Sequence, residues 1–212
     1  MPHPCSAVAT LLLGLLAASP ALARTATIPP AGGRLACAPP FGPRSSHAEV
    51  VAAFGKGNVT FAKVHVGEGE MAGATVVFPA DPARRIEIFW VDAKKRAGLA
   101  DLRLSPATTW VAPDGLARGM TIAEVETRNG RPFSLAGFFW DNAGSVIDWK
   151  GGALGAPLPG GCTVAVRFDL PADAPEVATS RINGDVEFSS DDENMRAAKP
   201  FVSYLGFGYP RP

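Results

Sequence analysis

The residues best suited to hold a ligand by stacking and a directed hydrogen bond are Trp90, Trp140, Asp141, Asn142 and Trp149. Three of them lie in Gly137-Phe138-Phe139-Trp140-Asp141-Asn142, with Trp149 shortly after, and Phe89-Trp90-Val91-Asp92 echoes the string earlier in the chain. An indole offers a flat apolar face, and a neighbouring carboxylate or amide supplies the bond that orients a sugar or peptide on it. Strand alternation through this segment places Phe139 and Asp141 on one face and Phe138 and Trp140 on the other. The same residues also suit a sheet with a large aromatic buried on each face, in which case Asp141-Asn142-Ala143-Gly144 turns the chain.

Hydrolysis of a glycan or peptide would ask for paired carboxyl groups, and the candidates are Asp141 and the pair Glu68 and Glu70, which flank Gly69. Asp191-Asp192-Glu193-Asn194 is a second acidic cluster, but its spacing is not that of a calcium-binding loop. Both acidic clusters read as solvated loops. His47 falls within a helix cap and His65 lies between Val64 and Val66 as a half-exposed strand residue, and no His-Glu-x-x-His or paired Cys/His spacing exists. No Gly-x-Ser-x-Gly elbow, phosphate loop or dinucleotide-binding glycine turn occurs either. No catalytic residue, metal ligand or cofactor is therefore assigned. The 20 basic and 20 acidic residues balance, and no basic run is interleaved with aromatics, so nucleic acid is not an expected partner.

The elements that must position these residues begin after a secretory signal. Residues 1–23 carry an apolar run from Ala7 to Ala18, a break at Ser19-Pro20 and the small-x-small site Ala21-Leu22-Ala23, which predicts cleavage near Ala23 and a periplasmic or extracellular product. That run is too short to span a bilayer, and no later one is longer, so no transmembrane helix is expected in the mature chain. Cys5 precedes the apolar run, which speaks against lipidation. Removal of the signal leaves Cys37 and Cys162, either joined in a disulfide or present as two separate buried thiols.

Residues 24–43 read as an extended Pro/Gly-rich leader. Ser46-His47-Ala48-Glu49 is a capping box that predicts a helix through Phe54, stopped by Gly55. Strand-like runs follow at 59–66, 74–78, 86–91 and 99–104. The order then recurs: Thr121-Ile122-Ala123-Glu124 is a second capping box, closed by Asn129-Gly130, and strand-like runs follow at 133–140, 145–149 and 163–170. The expectation is an α+β fold of two similar halves, 44–112 and 113–212, each a short helix packed on mainly antiparallel sheet, the two packed as one unit. The C-terminal run 200–210 reads as a last strand on an edge, with Phe201, Ser203, Leu205 and Phe207 on one face and Val202 and Tyr204 on the other.

Gly119-Met120-Thr121-Ile122-Ala123-Glu124-Val125, followed by Asn129-Gly130-Arg131-Pro132-Phe133, resembles the signature of the SmpA/OmlA (BamE) envelope proteins. The tandem arrangement is similar to the β-lactamase inhibitory protein family, whose members carry two such helix-plus-sheet repeats. The first half departs from the signature, with no Gly-Met and with Gly57-Asn58 where Gly-x-Pro would end. A longer string, Trp110…Gly115-Leu116…Gly119-Met120…Asn129-Gly130-Arg131-Pro132-Phe133…Gly137-Phe138-Phe139-Trp140-Asp141…Trp149…Gly152, resembles a family of exported bacterial proteins with no assigned activity. These resemblances imply an extracytoplasmic unit and add no chemistry. The function expected is that of a noncatalytic periplasmic or secreted binding protein that engages a protein or an envelope component through its aromatic-bearing sheet. The alternative is an exported hydrolase using Asp141 or the Glu68/Glu70 pair.

Overall fold

The computed structural model describes residue 1 and residues 33–210. The predicted export signal beyond Met1, and residues 24–32 of the leader, lie outside the described residues. Helix α1 (His47–Phe54) starts where Ser46 and Glu49 exchange bonds: the Glu49 N–H donates to Ser46 Oγ, and the Ser46 N–H donates to the Glu49 carboxylate at 2.7 Å. It stops at Gly55, at φ 84°.

A four-stranded antiparallel meander follows, made of β1 (Val59–Gly67), β2 (Glu70–Val77), β3 (Ile86–Asp92) and β4 (Ala97–Leu104). The second half opens with α2 (Ile122–Asn129), capped by Thr121 and Glu124 in the same reciprocal way and closed by Gly130 in the left-handed region. After it come β5 (Ser134–Ala136), β6 (Val146–Asp148), β7 (Thr163–Asp169), α3 (Glu176–Arg181), β8 (Glu187–Ser189), α4 (Glu193–Ala198) and β9 (Phe201–Gly208).

The fold is α+β, and each half sets a capping-box helix before antiparallel strands. The large sheet runs β1-β2-β3-β4-β9-β7, so strands of the second half extend the meander of the first, and a small sheet runs β6-β5-β8. One face of the large sheet, with Ile86, Ile88, Leu102, Phe207, Val164 and Val166, belongs to the main core together with Val50 and Phe54 of α1 and Ile122 and Val125 of α2. On the opposite face Val64, Ala74 and Val76 form a small cluster backed by Phe89. The described part of the leader is tied down: Leu35 and Phe41 are buried, and Cys37 is joined to Cys162 in a disulfide across 125 positions. A cross-link over that span removes about 4–5 kcal/mol of chain entropy from the unfolded state.

Three sequence expectations change. The C-terminal strand β9 is no edge; it lies between β4 and β7, with partners on both sides. Its alternation is also interrupted, because the register shifts between Tyr204 and Val202, and the bulge at Ser203 lets Val202, Leu205 and Phe207 all face the core. The run 133–140 shortens to β5, because Gly137 passes so near residues 182–184 that a Cβ there would sit 2.4 Å from the Gly184 carbonyl oxygen. The alternation expected of 138–141 disappears with it: Phe138 is buried, and Phe139, Trp140 and Asp141 are all exposed. Finally, Asp191-Asp192-Glu193-Asn194 is a helix start and not a solvated loop. The Asp192 carboxylate accepts from the N–H groups of Asn194 and Met195 at 2.8 and 3.0 Å and so caps α4. Among the described residues, no helix is long and apolar enough to cross a membrane, and no group of three His, Cys, Asp or Glu side chains could hold a metal ion.

Candidate functional site

The structure separates the aromatic residues that the sequence grouped. Trp90 belongs to the core: β2 and β4 flank its strand, only 7% of it is exposed, and its Nε1–H donates to Thr75 Oγ1 at 2.9 Å. The fully buried Thr75 hydroxyl also shares a hydrogen bond with His47 Nδ1 at 2.8 Å. Trp90 therefore anchors α1 to the sheet and reaches no ligand.

Trp140, Asp141 and Asn142 stand on a turn that presents them to solvent. Phe139 is 67% and Trp140 60% exposed. The backbone beneath them is held from several directions. Gly137 N–H donates to the Val186 carbonyl and Phe138 N–H to the Ile182 carbonyl, while inside the turn Ala143 N–H donates to the Trp140 carbonyl and Ser145 N–H to that of Asn142. The Trp140 indole N–H is fixed as well, donating to Asn183 Oδ1 at 3.0 Å. Phe139 sits at φ 69° and Asn142 at φ 58°. Asn tolerates the left-handed region, but for Phe that conformation costs about 1–2 kcal/mol. The turn is thus a strained, well-braced mount for two solvent-facing aromatics.

Beside the turn lies a hollow of about 480 Å³, lined by Phe138, Phe139, Leu170, Pro171, Asp169 and Thr179. Val177, on the neighbouring α3, is 77% exposed. The segments that carry this apolar surface are rich in exposed carboxylates: Asp141 follows Trp140, Asp169 lines the hollow, Asp173 and Glu176 lead into α3, and Asp185 precedes Val186. Arg181 is the sole basic residue in segments 137–144 and 169–187. None of these five carboxylates takes part in an ion pair among the described residues.

Trp149 and Asn142 belong to a second recess on the other side of the same loop. This groove, of about 530 Å³, is bordered by His65 near the β1–β2 turn, by Arg103, Tyr204 and Arg167 on neighbouring strands, and by Asn142 and Trp149. Trp149 is a fixed wall. Its ring packs on Phe133 at 5.0 Å, and its carbonyl accepts from the buried Asn129 side chain, whose own Oδ1 accepts from the Leu154 N–H. Burial pushes the Tyr204 hydroxyl up to about 12, aided by the Asp101 carboxylate and opposed by the Arg103 and Arg167 guanidinium groups. The hydroxyl therefore stays protonated and is a donor. Arg103 is paired with Asp101 at 3.3 Å and lies over the Phe89 ring, whereas Arg167 makes no ion pair among the described residues and hangs over the Tyr204 ring at 5.9 Å.

No family model, curated protein or solved structure matches the chain. The chemistry of both surfaces rests on their own geometry.

Glu68 and Glu70 are exposed at the β1–β2 turn and Asp141 is exposed on the aromatic turn, and none of the three lines the groove that lies between those turns. The sequence did not single out Arg103, Tyr204 or Arg167. They come from β4, β9 and β7 and meet only because β9 inserts between the other two. Tyr204 stood out only as one aromatic in a strand-like run; its usable signal, a pairing with Arg167 across two strands, requires the register to be known.

Proposed function

We propose that this chain is an exported, noncatalytic interaction protein whose Phe139–Trp140 turn docks on a basic surface of a partner protein. One observation carries the reading: two large aromatics are exposed side by side on a braced turn, one of them in a conformation that costs stability. Strain maintained by several hydrogen bonds is characteristic of sites kept for recognition. Neighbouring exposed aromatics with an apolar hollow beside them make the usual anchor of an interface. The unpaired carboxylates around them choose the sign of the partner, since a basic rim would meet them and an acidic one would be repelled. The Cys37–Cys162 disulfide supports export, because such bonds persist in oxidising compartments.

The test is in-cell crosslinking with a photoreactive residue at Asp141, followed by identification of the adduct. A partner that presents basic residues at the crosslink, and whose adduct disappears in a Trp140→Ala variant of unchanged melting temperature, is the expected result. Unchanged crosslinking in that variant would remove the turn from the interface.

A further inference from the structure

The second surface, the groove on the other side of the aromatic loop, has a chemistry of its own. Three features meet there. First, β7 is the outermost strand of the large sheet, and its outer side is only partly occupied: Phe168 N–H donates to the Gly144 carbonyl, Ser145 bridges Arg167, and at the other end the Leu158 N–H donates to the Cys162 carbonyl. Between these contacts, Thr163 to Ala165 have no strand paired on their outer side among the described residues, and β6 approaches β7 at Val146, beside Val166. Because Phe168 points its N–H outward, alternation aims the main-chain groups of Val164 and Val166 the same way.

Second, the groove runs along this stretch. Val164 and Val166 line it while their side chains belong to the core, so the groove meets these residues along their main chain. Third, the groove is cationic. Among the described residues Arg167 has no carboxylate partner and the protonated Tyr204 hydroxyl has no acceptor, while Arg103, shared with Asp101, lies on the floor. Glu87, which also bears on Tyr204, is held by Arg85 at 2.7 Å. Gly206 makes room for that hydroxyl, because a Cβ at this position would lie 2.9 Å from it.

We propose that this groove binds an extended acidic segment of another protein, which pairs its backbone with the free stretch of β7 and places a carboxylate against Arg167, Arg103 and the Tyr204 hydroxyl. An unpaired strand stretch is a template for an added strand, and side chains beside it give the selection. Trp149 supplies the apolar wall for an alternate side chain of the guest. A guanidinium with no carboxylate of its own is the group that a guest carboxylate can satisfy without displacing an existing pair. This site is distinct from the Phe139–Trp140 turn, and the two partners would be of opposite charge.

The test is selection from a random dodecapeptide phage library on the purified protein, followed by affinity measurement with the synthetic peptide most enriched. The expected outcome is enrichment of Glu or Asp among β-branched residues. Binding should weaken at least about tenfold in Arg167→Glu, fall likewise when alternate peptide amides are N-methylated, and persist in Trp140→Ala. Arg167 is exposed, so its variant should keep the melting temperature, which is measured alongside. Selection without acidic enrichment, or a selected peptide indifferent to Arg167→Glu or to N-methylation, would overturn the proposal. Loss of the peptide in Trp140→Ala would also overturn it, by moving the binding to the aromatic turn.

Discussion

In Phe89-Trp90-Val91-Asp92 the indole enters the core, and in Phe139-Trp140-Asp141-Asn142 it enters solvent. Composition hardly differs between the two strings; backbone pairing does. Residues 86–88 have β2 on one side and β4 pairs along 86–92 on the other, so side chains alternate, Trp90 goes in and Val91 comes out at 60% exposure. Asp92 then closes the strand, its carboxylate accepting from the N–H groups of Lys94 and Lys95. Residues 137–144 leave the small sheet after Ala136, and the turn, with no ladder on either side, sets its side-chain directions one residue at a time. A tryptophan in a paired strand is structural, whereas one on a braced turn is free to meet something else.

That contrast can be broken most directly at Trp90. Trp90→Ala should cost about 3–5 kcal/mol in chemical denaturation, through the cavity and the loss of the bond that holds Thr75. A loss below about 1 kcal/mol would mean that Trp90 is no more structural than Trp140, and the division between the two strings would fail.

The next effect is smaller and opposite in sign. Phe139→Gly places a residue without a Cβ at φ 69°, which should raise stability by up to about 1 kcal/mol while weakening partner capture. Stability gained with binding lost would sharpen the idea that the turn is strained for recognition. Stability lost would show that Phe139 packs on the hollow beside it more than it strains the backbone.

The same contrast explains what the sequence made legible. Ser46-x-x-Glu49 and Thr121-x-x-Glu124 located α1 and α2 because a cap is a local bond between residues three apart, whereas the six-residue α3 and α4 were not foreseen, and all four strands of the meander were visible in their alternating or β-branched runs. The aromatic loop was noticed, but its geometry was not, since whether Phe139 alternates with Trp140 depends on Gly137 meeting residues 182–184 from far along the chain. The groove was invisible for a similar reason. Arg103, Arg167 and Tyr204 become neighbours through the order β4-β9-β7, and the bulge at Ser203 hides which face of β9 each residue takes.

The smallest expected effect links Trp90 to pH. Its indole N–H donates to Thr75, and the Thr75 hydroxyl shares a hydrogen bond with His47 Nδ1 at 2.8 Å, so the chain of bonds from Trp90 ends on a titratable ring. Burial lowers the His47 pKa below its ordinary 6.5, and the Arg96 guanidinium, seated over the Phe61 ring that His47 meets edge-on, lowers it further. The unfolded chain then takes up a proton at a pH where the folded protein does not. Stability contributed by this group is full above 6.5 and is lost as the pH falls through the lowered folded value. The ring is only partly buried, which keeps the effect modest. The denaturation midpoint should therefore drop slightly between pH 7.5 and pH 5.5, and His47→Gln should flatten that slope. Trp140 bonds to Asn183, an amide with nothing to titrate, so partner capture by its turn should not follow the His47 transition over the same range. If the slope persisted in His47→Gln, the pH sensitivity would belong elsewhere, and the Trp90 anchor would end at Thr75.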